Sequence, residues 1–150
     1  MSIEIDFANA GDLPQLSDLL AELFTLESDF KPEREKQLRG LRLILENPAL
    51  GRLFVLRDKE KVLGMANALI TVSTAEGARV LLLEDVIVRA EHRGNGLGQR
   101  LVGHVLAWAK AQGLTRITLL ADKENAAALD FYRKLGFGDP QMQVLRKQTG

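Results

Sequence analysis

The sequence predicts an α/β domain built on a mixed β-sheet. Three observations predict it. Segments of alternating or β-branched apolar residues are interleaved with segments whose apolar residues recur every three or four positions. The most apolar strand candidate, Val80 to Val88, runs through a glycine loop into a helical pattern, so that from it onward the chain reads strand, helix, strand, helix, strand. A chain of 150 residues supports one core and is too short for two good ones, so residues 1–150 are expected to be a single domain.

At the start, Ile3, Ile5 and Phe7 alternate with Glu4, Asp6 and Ala8, as in a half-buried strand. Asp12 can cap a helix, with Pro14 in its first turn and Gln15 three residues on as in a capping box. Leu16, Leu19, Leu20, Leu23 and Phe24 mark the buried face of that helix, and Leu26 to Lys31 reads as a loop. A second helix is expected from Pro32, carrying Leu38, Leu41 and Leu45 inward until Asn47-Pro48 stops it. Arg52 to Arg57 and Val62 to Val72 read as a hairpin around the charged turn Asp58-Lys59-Glu60-Lys61. Gly77 turns the chain into the strand Val80 to Val88, which only the acids Glu84 and Asp85 interrupt. From Leu97 the apolar residues Leu101, Val105 and Trp108 make one face of a helix that Gly113 ends. Thr115 to Ala121 reads as a strand, Asn125 to Leu135 as a helix stopped by Gly136, and Phe137 with Gln141 to Lys147 as the last strand material.

The totals exclude several functions. Twenty basic residues balance twenty acidic ones, so no net field favours nucleic acid or an anionic membrane surface. No cysteine is present, which excludes disulfides, thiolate metal sites and a cysteine nucleophile, and points to the cytoplasm. No apolar run approaches a membrane span, and the first residues lack a basic segment followed by an apolar one. His92 and His104 have no companion at metal-ligand spacing, so no metal is expected.

The loop Arg93-Gly94-Asn95-Gly96-Leu97-Gly98 has the chemistry of an anion cradle. Alternate glycines let the backbone turn sharply and bare its N–H groups, and the helix that follows adds unpaired amides and the positive end of its dipole. Arg93 and Arg100 would add charge. The dinucleotide fingerprint fails because residue 99 is Gln, and the Walker sequence Gly-Lys-Ser/Thr occurs nowhere. A tight turn that binds nothing is the alternative.

This loop resembles the acetyl-CoA signature R/Q-x-x-G-x-G/A of the GNAT superfamily of N-acetyltransferases. Downstream, Asn125-Ala126-Ala127-Ala128-Leu129-Asp130-Phe131-Tyr132-Arg133-Lys134-Leu135-Gly136-Phe137 is similar to the family's N-x-x-A-x-x-F-Y-x-x-x-G-F helix. The resemblance implies the GNAT fold, a mixed central sheet of about six to seven strands flanked by about four helices. It implies acetyl-CoA as cosubstrate, with Val86, Ile87 and Val88 lending backbone to the pantetheine arm and Arg93 to Gly98 holding the pyrophosphate. It also implies that Asn125 contacts the cofactor and that Tyr132 sits by its sulfur. By spacing, Asn125, Leu129 and Tyr132 share one helix face; a capping Asn125 and a packed Tyr132 are the alternative.

The reaction explains these residue types. An amine of pKa about 10.4 must lose a proton before it attacks, and a thiolate with a conjugate pKa of about 8.5 leaves more readily when a hydroxyl protonates it. Tyr132 is the candidate acid. The segment Glu84-Asp85-Val86-Ile87-Val88 looks most like GNAT enzymes that acetylate small amines, such as diamine and glucosamine-phosphate acetyltransferases, where the acid in the position of Glu84 is assigned to the amine. Strict strand alternation lets only one of Glu84 and Asp85 line the site, and Glu84 is preferred. Phe24, Leu26, Asp29, Phe30, Asn67, Thr71 and Ser73 are candidates for an acceptor pocket, as the family recruits these elements. A small-molecule amine is the expected partner, and homodimers are common in the family. A binding module that kept the cradle and lost turnover is the alternative from another class.

Overall fold

Hydrophobic periodicity and its punctuation become nine regular elements in the computed structural model, which describes residues 1–27 and 29–150. In order these are β1 (Ile3–Phe7), α1 (Leu13–Leu26), α2 (Arg34–Leu45), β2 (Gly51–Asp58), β3 (Lys61–Ser73), β4 (Ala78–Val88), α3 (Leu97–Ala111), β5 (Ile117–Leu119) and α4 (Ala126–Lys134). Within the loop expected over Leu26 to Lys31, Ser28 lies outside the described residues.

Residues 1–120 form one unit. Its sheet has the order β1-β2-β3-β4-β5, antiparallel up to β4 and parallel between β4 and β5. On one face, Leu13, Leu16, Leu19 and Leu20 of α1 and Leu41 of α2 pack with Leu53, Val55, Val62, Met65 and Ile87 of the strands. On the other, Phe54 meets Trp108 of α3 edge-to-face at 5.2 Å, and Leu101, Val102, Val105 and Ala109 are buried. Residues 121–150 form the second unit, which contains α4.

The α/β class and the mixed sheet agree with the sequence reading, but the described residues contain five strands rather than six or seven. No strand forms over residues 137–147, where Met142, Val144 and Leu145 are exposed. Period-two residues supply only one face of a strand; a ladder partner must supply its backbone hydrogen bonds. The strand expected over Thr115 to Ala121 likewise contracts to Ile117–Leu119, the stretch paired with Leu81–Leu83.

The start of α1 also differs. Gln15 does not close a capping box. Its amide donates to the Glu60 carbonyl at 3.0 Å and its carbonyl accepts from the Val62 N–H at 2.8 Å, clasping the β2–β3 turn. Asp12 instead accepts the Asn9 N–H at 2.9 Å and takes both ends of the Arg57 guanidinium at 3.0 and 2.7 Å. A buried carboxylate is costly unless paired in this way.

Candidate active site

The glycine loop begins where β4 ends. The β4–β5 ladder covers only Leu81–Leu83, while β4 pairs with β3 as far as Val88. The outer edge of Val86 to Val88 is therefore outside the sheet pairing among the described residues. Ile87 and Val88 bury their side chains, so only their backbone is available to a ligand. Part of that backbone is already used, because the Val88 carbonyl accepts from Arg93 Nε at 2.7 Å.

After Val88 the chain makes a short 3₁₀ turn, Ala90–His92, and then the loop. Gly94 and Gly96 adopt φ of +84° and +76°, the left-handed region that favours glycine. Nothing lies within 4 Å of a Cβ placed on either, so the protein leaves open the space a side chain would fill. Leu97 buries its side chain and anchors the start of α3. Arg100 N–H to Gly96 C=O, at 3.1 Å, is the first bond of that helix. The amides of Leu97, Gly98 and Gln99 precede it, at the positive end of the dipole. Exposed Asn95 lies between the two left-handed glycines. The open space and the array of amides fit a pyrophosphate.

The Arg93 side chain is not a free cation of the cradle. Its guanidinium donates to Glu22 Oε1 of α1 at 2.7 Å, and the same oxygen accepts the Ala90 N–H at 3.1 Å. Glu22 was not singled out in the sequence. Its partners lie 68 and 71 residues away, beyond the reach of local patterning.

The two acids do not follow strict alternation. The β3–β4 register slips between Met65/Ile87 and Asn67/Glu84, so Asp85 and Val86 together oppose the single residue Ala66 in a β-bulge. Asp85 has φ +54°, which few residues other than glycine adopt. Its Oδ2 accepts from Asn67 Nδ2 at 2.8 Å, while Glu84 is the ladder partner of that same Asn67. Both acids therefore adjoin one asparagine, where alternation predicted opposite faces. Burial pushes the Asp85 carboxyl above the ordinary carboxylate range, and the Asn67 hydrogen bond only partly offsets this. Among the other pocket candidates, Ser73 is buried and its hydroxyl accepts the Glu76 N–H at 3.1 Å, a turn-closing role. Thr71 is exposed, and Phe24 packs on Phe30 at 5.4 Å.

In the second unit, Asn125 caps α4, its Oδ1 accepting the Ala128 N–H at 3.0 Å. The Tyr132 ring packs edge-on between Phe131 and Phe137, at 5.1 and 5.8 Å. His104 rests against Phe54, His92 is half-buried in the 3₁₀ turn, and no cluster of metal-ligating side chains occurs among the described residues. No described helix is long and apolar enough to cross a membrane.

Comparison with known proteins adds a family to this geometry. The sequence model of the Acetyltransferase (GNAT) family matches residues 13–137. The uncharacterized N-acetyltransferase YobR of Bacillus subtilis (strain 168) is 38% identical over 117 residues, covering 77% of this chain and 43% of YobR. Matches to two further curated relatives cover 31% and 39% of their lengths, so the chain spans less than half of each. The crystal structure of a transcriptional regulator from Bacillus halodurans C-125 superposes with a TM-score of 0.83 at 29% identity, over 99% of this chain and 100% of that one. A predicted acetyltransferase from Clostridium acetobutylicum, solved with acetyl-CoA, gives a TM-score of 0.79 at 17% identity over 97% and 96%, a likeness of fold.

Proposed function

The chain belongs to the acetyltransferase (GNAT) family, and from that premise we propose that it transfers the acetyl group of acetyl-CoA directly to a primary amine of a small molecule, with residues 1–150 acting as one domain. The observation that carries this reading is the Gly94–Gly96 cradle, left open above the first amides of α3 and directly downstream of the two acids of β4. When bound, acetyl-CoA supplies a thioester whose carbonyl carbon accepts the amine nitrogen.

The chain's own residues then have distinct tasks. The amides from Gly94 to Gly98 bind phosphate oxygens, and the outer backbone edge of Val86 to Val88 lies along the pantetheine. Arg93, matched by Glu22, acts by shaping the loop. Glu84 and Asp85 hold the acceptor as an ammonium and relieve it of a proton. Tyr132, by its place in the family's motif, protonates the departing thiolate, and Asn125, by the same motif, contacts the cofactor. Absence of cysteine agrees with transfer that passes through no acyl-enzyme. The small-molecule acceptor is inferred from the Glu84-Asp85-Val86 segment.

Turnover of acetyl-CoA over a panel of diamines, amino sugars, amino acids and peptide N-termini, read as thiol release, tests the proposal. Release with one class of small amine supports it; release only with peptides moves the acceptor to protein. The likeness to a transcriptional regulator favours a second reading, a CoA-binding module without turnover. Tight acetyl-CoA binding with no thiol release from any amine would establish that reading.

A further inference from the structure

Asn67 is an expensive residue for its position. It is 4% exposed, and its Oδ1 is buried without a hydrogen-bond partner. A buried carbonyl oxygen left unpaired is destabilising, so an apolar side chain would serve packing better. What Asn67 does instead is commit its amide nitrogen to Asp85 at 2.8 Å. The opposite orientation of the side-chain amide would set an oxygen against an ionised carboxylate, two acceptors with no proton between them. The partner is itself unusual, since Asp85 occupies the left-handed region at a bulge that takes its side chain out of the strand's alternation.

We infer that Asn67 is a positioning residue that holds Asp85 at the β4 bulge, and that Asp85, rather than Glu84, accepts the proton of the acceptor amine. The inference rests on the acetyl-transfer reading and deepens it. An ammonium of the substrate gives one proton to the Asp85 carboxylate, which passes it to solvent. The freed nitrogen lone pair forms the bond to the acetyl carbon as the carbon–sulfur bond breaks. The second proton lost by nitrogen balances the one the sulfur gains. A carboxylate raised by burial is a better match to an amine than an ordinary one of about 3.9.

The surroundings support this division of labour. Glu84 on β4 is the adjacent acid. Charged groups on the elements packed against β4 are Asp18 and Glu22 of α1, Lys61 of β3, and Arg100, His104 and Lys110 of α3; β5 carries none. Burial raises the Asp85 carboxyl, and the Asn67 hydrogen bond opposes it. Removing the Asn67 amide therefore has a signed effect: the charged form loses its donor and the midpoint rises further.

The test follows the Asp85 carboxyl carbon by ¹³C NMR across pH, with Asp85→Asn identifying its signal, alongside the pH profile of kcat/KM with the amine found by the thiol-release screen. The expected result is a midpoint above the ordinary carboxylate range that rises again in Asn67→Ala. The acid limb of kcat/KM should move up in parallel. Asp85→Asn should lower kcat by about 10²-fold to 10⁴-fold. Glu84→Gln should raise KM for the amine and leave the acid limb where it was. A limb that follows Glu84→Gln, or stays fixed while the Asp85 midpoint moves, overturns the inference. So does an ordinary midpoint in the wild type. Should Asn67→Ala fail to fold, the wild-type titration with the Asp85→Asn and Glu84→Gln kinetics decides the matter. If no amine releases thiol, the transfer reading fails and the proton-acceptor role falls with it, while the NMR titration still reports on the Asn67 contact.

Discussion

Glu22 of α1 uses one carboxylate oxygen for two donors, Arg93 Nη2 at 2.7 Å and the Ala90 backbone N–H at 3.1 Å. A helix on one face of the sheet thus fixes both the turn that precedes the glycine loop and the arginine that opens it. Replacing Glu22 by Ala should leave stability within about 1 kcal/mol, since the pair is substantially exposed. Affinity for CoA should fall by about threefold to tenfold, equivalent to roughly 0.7–1.4 kcal/mol of lost loop ordering. Isothermal calorimetry on the folded variant measures this. Tighter binding would mean that Arg93, once released, serves the phosphates directly.

Gly96 tests the cradle itself. Val at this position must adopt φ near +76°, at a cost of about 1–2 kcal/mol, and its branches would occupy space the protein leaves empty. The variant should fold with a lowered melting temperature and lose most of its affinity for CoA. Unchanged affinity in folded Gly96→Val would remove the cradle hypothesis.

Tyr132 separates an enzyme from a binding module. Tyr132→Phe retains the ring contacts with Phe131 and Phe137 and deletes only the hydroxyl. If that hydroxyl protonates the thiolate, kcat should drop by about 10²-fold to 10⁴-fold with CoA affinity nearly intact. Full activity in the variant would reduce Tyr132 to a packing residue.

Asp12 carries a pH signature of stability. Burial alone would raise its carboxyl, but the Arg57 guanidinium and the Asn9 N–H hold it below the ordinary range. A depressed carboxylate contributes stability that is fully present above its unfolded value of about 3.9 and is lost as pH falls through the folded value. Urea midpoints measured from pH 7 downward should therefore hold for this contribution until about pH 4 and then decline. Asp12→Asn should be less stable at pH 7 by about 3 kcal/mol, because it strands a mostly buried guanidinium, and the gap should narrow in acid. A gap that stays constant with pH would show that the charge of Asp12 is not what matters.

The parts of this protein legible in its sequence are those set by local pattern. Leu16, Leu19 and Leu20 on α1 and Leu97, Leu101 and Val105 on α3 are buried as their spacing requires. Gly94 and Gly96 take the conformations that make a glycine necessary. What escaped the sequence is set by partners distant in the chain. Gln15 looked like a helix cap, yet it finds the hairpin turn, and nothing near Glu22 foretells Ala90 or Arg93. The bulge was hidden for another reason. Asp tolerates the left-handed region well enough to sit there without a glycine to announce it, so a slip of one residue between β3 and β4 left no mark in the Leu-Glu-Asp-Val pattern.

If Asp85 is the proton acceptor proposed above, that bulge also places catalysis and folding in opposition. At residue 85 the left-handed backbone suits glycine or asparagine at least as well as aspartate, and the buried surroundings would favour a neutral side chain, so an ionisable group is a costly choice for a chain selected only to persist. Selection for heat resistance alone would drift toward substitutions at this residue and at Asn67, gaining robustness while erasing the carboxylate and its donor. An engineer seeking a hardier catalyst should hold these two positions constant and look for stability elsewhere, for instance at Lys59, a left-handed turn residue where glycine relieves strain and touches no chemistry.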